Sequence, residues 1–239
     1  MKKLVCNLKS GIGYNDFVCL LEELKNYDNK YIELVIAPPY PFLNMVEEPL
    51  KKGAQDISVY DDNHAVGEVT GPILKSLNTE YVIVGHSDRQ MRFKESEYEF
   101  IKKINNALKN DIKVIYCIGE TREEKLRHKT LMVLEREIAR VFNKIEGNPE
   151  EIIIAYEPAW AISCVKKSID NVNVSEISET ITFIKSLVKN YYGINVHVIY
   201  GGSVNAENID KYRNLKSDGL LIGQASLKAE SIKKIASKM

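Results

Sequence analysis

Apolar residues along the 239-residue chain gather into eight short runs: LVCNL (4–8), YIELVIA (31–37), GAQDISV (53–59), YVIVG (81–85), KVIYCIG (113–119), EIIIAY (151–156), VHVIY (196–200) and GLLIG (219–223). Several are apolar at nearly every position and not at alternate ones. A strand that reads this way is buried on both faces, as parallel strands covered by helices are. Between the runs the apolar spacing changes to that of a helix, as in Glu97, Ile101, Ile104 and Leu108, or Ile177, Ile181, Ile184 and Val188. Thr121 with Glu124 three residues later predicts a capping box that opens a helix carrying Leu126, Leu134, Ile138 and Val141. Ser175 predicts the cap of the helix that ends near Tyr192, where Gly193 stops it.

Strand and helix thus alternate eight times, and no Pro/Ser-rich linker or low-complexity stretch divides the chain, so residues 1–239 read as one domain. The length lies within the range in which α/β barrels run as a single domain. Alternation fits a closed eight-stranded barrel and an open doubly wound sheet alike. The first strand-to-helix turn lacks a GxGxxG fingerprint and no GxxxxGK[ST] loop occurs, which weakens the dinucleotide-binding and P-loop readings.

Composition narrows the ligand class. With 33 basic against 33 acidic residues the formal net charge is zero, and no basic stripe asks for a polyanion. Nucleic acid is excluded on that ground, and a small substrate caught by local charge and backbone dipoles is favoured. The four cysteines Cys6, Cys19, Cys117 and Cys164 have neither CxxC spacing nor the density of a secreted scaffold or a zinc site, so reduced thiols, no metal and a cytoplasmic location are expected. MKKLVCNLKSG reaches Asn7 and Lys9 before any apolar stretch of signal-peptide length, and no segment approaches membrane-spanning length.

Polar residues stand immediately after the runs. Asn7 and Lys9 attend the first, His86 follows the fourth and Glu157 the sixth, while the seventh and eighth end in Gly201-Gly202-Ser203 and Gly223-Gln224-Ala225-Ser226. In a barrel these strand ends share one mouth, and small residues there let backbone amides approach an anion. Each feature alone has a plain structural reading: a satisfied histidine, a capping glutamate, a solvated lysine, an ordinary turn. Their joint placement at one end of several strands is what independent accidents explain poorly.

The segments CNLKS (6–10), APPYPFL (37–43), GEVTGPILKSL (67–77), VGHSDRQ (84–90), YCIGET (116–121), IAYEPAWAI (154–162), YGGSV (200–204) and IGQASLKAE (222–230) resemble those of the triosephosphate isomerase family, in collinear order along essentially the whole chain. The resemblance implies a (β/α)8 barrel that interconverts dihydroxyacetone phosphate and glyceraldehyde 3-phosphate through an enediol, with neither metal nor organic cofactor. It implies Glu157 as the base, His86 as the electrophile that shuttles protons between the two oxygens, Lys9 as fixed positive charge and Asn7 as a neutral donor. Ser87 and Asp88 would hold Lys9 and the base before closure. Ser163, Ser203, Gly223 and Gln224 would bind phosphate, mainly through backbone N–H groups. Residues 158–168 correspond to the family's mobile lid, with Trp160 in its hinge. Residues 60–71 correspond to the loop that enters the neighbouring subunit of a homodimer, and Arg89 and Glu68 match charged positions at that interface.

Four departures from the family pattern fall at functional positions. Asp88 replaces the usual glutamate, one methylene shorter, so its direct reach to Lys9 is expected to be lost or bridged by water. Ser163, Cys164 and Val165 replace a Gly-Thr-Gly lid tip with residues of more restricted backbone. Gln224 stands where a second glycine is usual, and Val66 where an inter-subunit threonine is usual. These substitutions leave two alternatives open: an isomerase of a related phosphosugar, such as a four-carbon ketose phosphate, and a weakened paralogue kept for binding.

Overall fold

In the computed structural model, residues 1–27, 29–62, 64–161 and 173–239 are described. Each apolar run contributes a strand: β1 (Lys2–Asn7), β2 (Ile32–Ala37), β3 (Lys51–Ala54), β4 (Tyr81–Val84), β5 (Lys113–Ile118), β6 (Ile152–Tyr156), β7 (His197–Tyr200) and β8 (Gly219–Ile222). All pair in parallel and in sequence order, and β8 returns to pair with β1, with Cys6 opposite Ile222. The sheet is therefore a closed barrel and not an open, doubly wound one.

The two faces of the strands explain the continuous apolar runs. Val5, Val35, Ile83, Ile115, Ile153, Ile199 and Leu221 form one buried cluster drawn from seven strands around the barrel. Their neighbours along the same strands, among them Leu4, Ile36, Val82, Val114, Ile154 and Val198, join the larger cluster that includes the helices. One set fills the barrel and the other glues the helices to it, so neither face has room for polar alternation.

The helices are α1 (Tyr14–Leu24), α2 (Gly71–Ser76), α3 (Ser87–Phe93), α4 (Glu97–Lys109), α5 (Arg122–Leu126), α6 (Thr130–Phe142), α7 (Val174–Tyr192) and α8 (Ala229–Lys238). The pattern of α7 is as predicted: Ile177, Ile181, Ile184 and Val188 are all buried, and Gly193 ends it in the left-handed conformation at φ 73°. Among the described residues, no helix is long and apolar enough to cross a membrane.

Four local expectations need correction. The third strand is Lys51–Ala54 and not 53–59. Its two lysines look like loop, but Lys52 is buried and its Nζ donates to the carbonyl of Leu77 at 2.7 Å. The Thr121–Glu124 capping box is present, yet the helix it opens stops at Leu126. His128 turns the chain at φ 54° before α6 begins, which leaves Leu126 71% exposed and not part of the helical stripe. The cap of α7 is Asn173, whose Oδ1 accepts from the backbone N–H groups of Ser175 and Glu176, while the Ser175 hydroxyl turns to Glu179. Finally, β2 and β7 are followed by the 3-10 turns Tyr40–Met45 and Ile209–Tyr212 in place of α-helices; Pro41 lies inside the first.

Because every strand runs the same way, Asn7, His86, Glu157, Gly201 and Gly223 come to a common rim at the C-terminal ends of β1, β4, β6, β7 and β8.

Candidate active site

Asn7 ends β1 and is buried; its Oδ1 accepts the backbone N–H of Lys9 at 3.2 Å. Lys9 itself has φ 50°, a left-handed backbone that costs a residue with a side chain about 1–3 kcal/mol. Its carbonyl is held by the Gln55 carboxamide at 2.8 Å, which also donates to the carbonyl of Ala37 at 2.9 Å. The Lys9 ammonium donates to Asp88 Oδ2 at 2.7 Å. The shorter carboxylate thus reaches Lys9 directly, contrary to expectation, because the flexible lysine stem takes up the missing methylene. Burial alone would raise the Asp88 carboxyl, but the hydrogen bond and charge of Lys9 outweigh it and hold the group below its ordinary value.

His86 caps α3, its Nδ1 accepting the backbone N–H of Asp88 at 3.1 Å. A ring nitrogen that accepts carries no proton, so the imidazole is neutral with its N–H on Nε2. That Nε2 lies 3.7 Å from Glu157 Oε1, too far for a hydrogen bond but close enough to share one small substrate. Ser87, expected to hold the base, does not: its Oγ is buried with no hydrogen-bond partner among the described residues, and Glu157 Oε2 is in the same condition.

Glu157 leaves β6 with its N–H on the carbonyl of Ile118 at 2.8 Å, and it is only 5% exposed. Two glycines make room for it. A Cβ on Gly119 would stand 2.2 Å from the Glu157 carbonyl oxygen, and one on Gly201 would stand 2.4 Å from Glu157 Cγ. Cys117 lies beside the carboxylate, and burial together with the charge of Glu157 pushes its thiol far up, so it does not serve as a nucleophile.

Gly223 brings the end of β8 to the Lys9 side chain: a Cβ there would sit 3.6 Å from Lys9 Cε. Gln224 follows and is exposed. Ser203 is engaged otherwise than expected. Its N–H and its hydroxyl both donate to the carbonyl of Ala161, at 3.1 and 2.7 Å, so in this conformation neither is free for an anion. Ser163, Cys164 and Val165 lie outside the described residues. Trp160, in the short turn Ala159–Ala161, donates its indole N–H to Glu120 at 2.9 Å, and the Lys125 ammonium stands 4.5 Å from its ring centre.

A carboxylate, a neutral imidazole N–H and a lysine ammonium thus converge at the barrel mouth beside a glycine turn. Over residues 2–239 the chain matches the family model described as triosephosphate isomerase. The chain belongs to the triosephosphate isomerase family. It is 36% identical over 226 residues to the triosephosphate isomerase of Alkaliphilus oremlandii, covering 88% of each chain. It is 37% identical over 209 residues to that of Mesomycoplasma hyopneumoniae strain 232, covering 85% of this chain and 82% of the relative. To that of Clostridium tetani it is 34% identical over 241 residues, covering 96% and 93%.

The triosephosphate isomerase motifs name the candidate site residues and Asp88 beside Lys9, but not the other side chains that hold the site. Gln55, which fixes the Lys9 peptide, sits in a run read as strand. Glu120 is fully buried and accepts both the Tyr156 hydroxyl and the Trp160 indole, a role visible only once β5 and β6 are adjacent. Arg89 is met within the chain by Asp56 at 2.9 Å and Glu95 at 2.5 Å, whereas Glu68 and Val66 are exposed, Val66 to 100%.

Proposed function

We propose that the chain interconverts dihydroxyacetone phosphate and D-glyceraldehyde 3-phosphate in the cytoplasm, in glycolysis and gluconeogenesis, without a cofactor. The observation that carries this reading is the buried Glu157 carboxylate facing the Nε2–H of a neutral His86, with the Lys9 charge on the same rim. A proton on carbon next to a carbonyl is weakly acidic, so its removal needs a base held close and an oxyanion stabilised as it forms. Glu157 takes the proton from one carbon and returns it to the next. His86 donates Nε2–H to the carbonyl oxygen that gains charge, then exchanges protons between the two oxygens of the enediol. A neutral imidazole in this role is the established pattern of the family. Lys9 and Asn7 supply charge and a donor beside the substrate.

The phosphate binds through backbone N–H groups at Ser163, Ser203, Gly223 and Gln224, next to the Lys9 ammonium. Binding requires Ser203 to leave the Ala161 carbonyl, which couples phosphate capture to the residues just after Glu157. Binding energy gathered at the phosphate is then available at the reacting carbons. The active form is a homodimer joined through residues 60–71. The fully exposed Val66 and half-exposed Tyr60 in that segment support this, since apolar side chains so presented gain most from a partner.

The direct Lys9–Asp88 pair argues against a weakened binding paralogue, because the support of the lysine is intact. A coupled assay with both triose phosphates tests the proposal. Wild type should isomerise in both directions, and Glu157→Gln should lose roughly 10²–10⁴-fold in kcat. Absence of turnover in the wild-type protein would end the proposal, and faster turnover of a four-carbon ketose phosphate would move it to that substrate.

A further inference from the structure

Glu137 is a carboxylate in the wrong place for a solvated helix residue. It lies on α6 next to Val133, Leu134, Ile138 and Val141, which are buried against the barrel. Its Oε2 accepts the backbone N–H of Gly119 at 3.0 Å, and its own carbonyl accepts the Tyr116 hydroxyl at 3.3 Å. One residue of the outer layer is thereby tied twice to the end of β5.

Gly119 in turn is pressed against the base. A Cβ on it would meet the Glu157 carbonyl oxygen at 2.2 Å and the carbonyl carbon at 2.5 Å. On either side of that contact, Glu157 N–H donates to Ile118 at 2.8 Å and Ala159 N–H donates to Glu120 at 3.0 Å. The segments 118–120 and 157–159 are therefore bonded to each other, and Glu137 is a side chain that ties them to the helical layer. We propose that Glu137 is a positioning residue for Glu157, holding the backbone on which the base is mounted through its bond to Gly119. The inference rests on the reading of Glu157 as the base.

The chemistry of the bond makes this positioning sensitive to protonation. Burial pushes the Glu137 carboxyl up to about 7, while the Gly119 N–H and the charges of Arg136 and Arg140 oppose it and Glu124 adds to it. Among the described residues, Arg136 and Arg140 share its helix, Glu124 reaches from α5 and pairs with Arg136, Glu97 on α4 pairs with Arg140, and Tyr116 faces it from β5. Above neutrality Glu137 is an anion and the bond to Gly119 is charge-assisted. Below neutrality it is a neutral acceptor, roughly half as strong, and its new hydroxyl needs an acceptor of its own. Glutamine at this position keeps an acceptor of the same reach without the titration.

The test compares wild type, Glu137→Gln and Glu137→Leu as full-length protein, with kcat and KM measured from pH 5.5 to 9. Wild-type kcat should fall about threefold through an inflection near pH 7, and Glu137→Gln should lose that inflection while keeping kcat within about twofold of wild type at pH 8. Glu137→Leu should lower kcat about tenfold at every pH with KM nearly unchanged, since a sub-ångström shift of the base leaves the phosphate site intact. In parallel, the backbone amide resonances of Gly119 and Glu157 should titrate together near pH 7 in wild type and not in Glu137→Gln. An inflection that persists in Glu137→Gln, or amide resonances that do not titrate in wild type, would overturn the inference. The amide readout decides it even if Glu137→Leu does not fold. A wild-type protein without turnover would instead overturn the role of Glu157.

Discussion

Replacing Gly201 by alanine should move Glu157, the proposed base, without changing its carboxylate. The new Cβ would stand 2.4 Å from Glu157 Cγ, 2.8 Å from Oε1 and 3.1 Å from Cδ, whereas ordinary contact begins at 3.4 Å. Gly201 cannot give way easily, because it directly follows β7 and its N–H is held by the Tyr156 carbonyl at 2.9 Å. Glu157 must therefore retreat by about 1 Å, a misplacement that costs on the order of 10²-fold in rate. The loss should appear in kcat through Glu157, and KM should be measured beside it because Gly201 leads into Ser203, a proposed phosphate contact. Steady-state kinetics with dihydroxyacetone phosphate measure it, and thermal denaturation shows whether the barrel is intact. Gly13→Ala is the control, since the nearest atom to a Cβ there is 3.9 Å away and no change is expected. A Gly201→Ala protein with kcat within threefold of wild type and an unchanged melting temperature would refute the placement of the base.

Three further outcomes follow from the contacts around the site. Asp88→Asn should lower kcat/KM about tenfold by leaving Lys9 without its charge partner. Because the Asp88 carboxyl is held below its ordinary value, the pair's stabilisation is present above the usual carboxylate range and is lost as pH falls through the folded-state value; melting curves from pH 2 to 6 should therefore show a shallower acid limb in the variant. Gln55→Leu leaves the carbonyls of Lys9 and Ala37 without their donor and should cost about 1–3 kcal/mol in urea unfolding, together with part of kcat; unchanged values would show that Lys9 holds its φ 50° unaided. Val66→Asp should shift the protein toward monomer in sedimentation at low micromolar concentration, and an unaltered profile would remove residues 60–71 from the interface.

How far the sequence carries depends on whether the governing contact is local. Strands buried on both faces announce themselves, because Val5 and Leu4 are both apolar for separate reasons, one inside the barrel and one beneath the helices. The Thr121–Glu124 capping box is local and was legible; the left-handed His128 that ends its helix carries no such signature. Lys52 looks like a loop residue until its ammonium finds the Leu77 carbonyl across the fold. The candidate site residues could be placed on one rim because each stands at or just past the end of a strand. Of their supports Asp88 could be named, whereas Gln55, Glu120 and Glu137 could not, since they act across 46, 40 and 18 positions of sequence. For Asp88, counting methylenes misled because the lysine stem, and not the carboxylate, sets the reach.

If Glu157 is the base, it moves a carbon-bound proton in a small phosphorylated substrate. Proton NMR of dihydroxyacetone phosphate turned over in D2O tests it most directly. Deuterium should enter the substrate carbon and the aldehyde product with wild type, and both should be lost in Glu157→Gln while His86 and Lys9 remain in place. Isomerisation without any deuterium incorporation from solvent, or incorporation undiminished in Glu157→Gln, would contradict it.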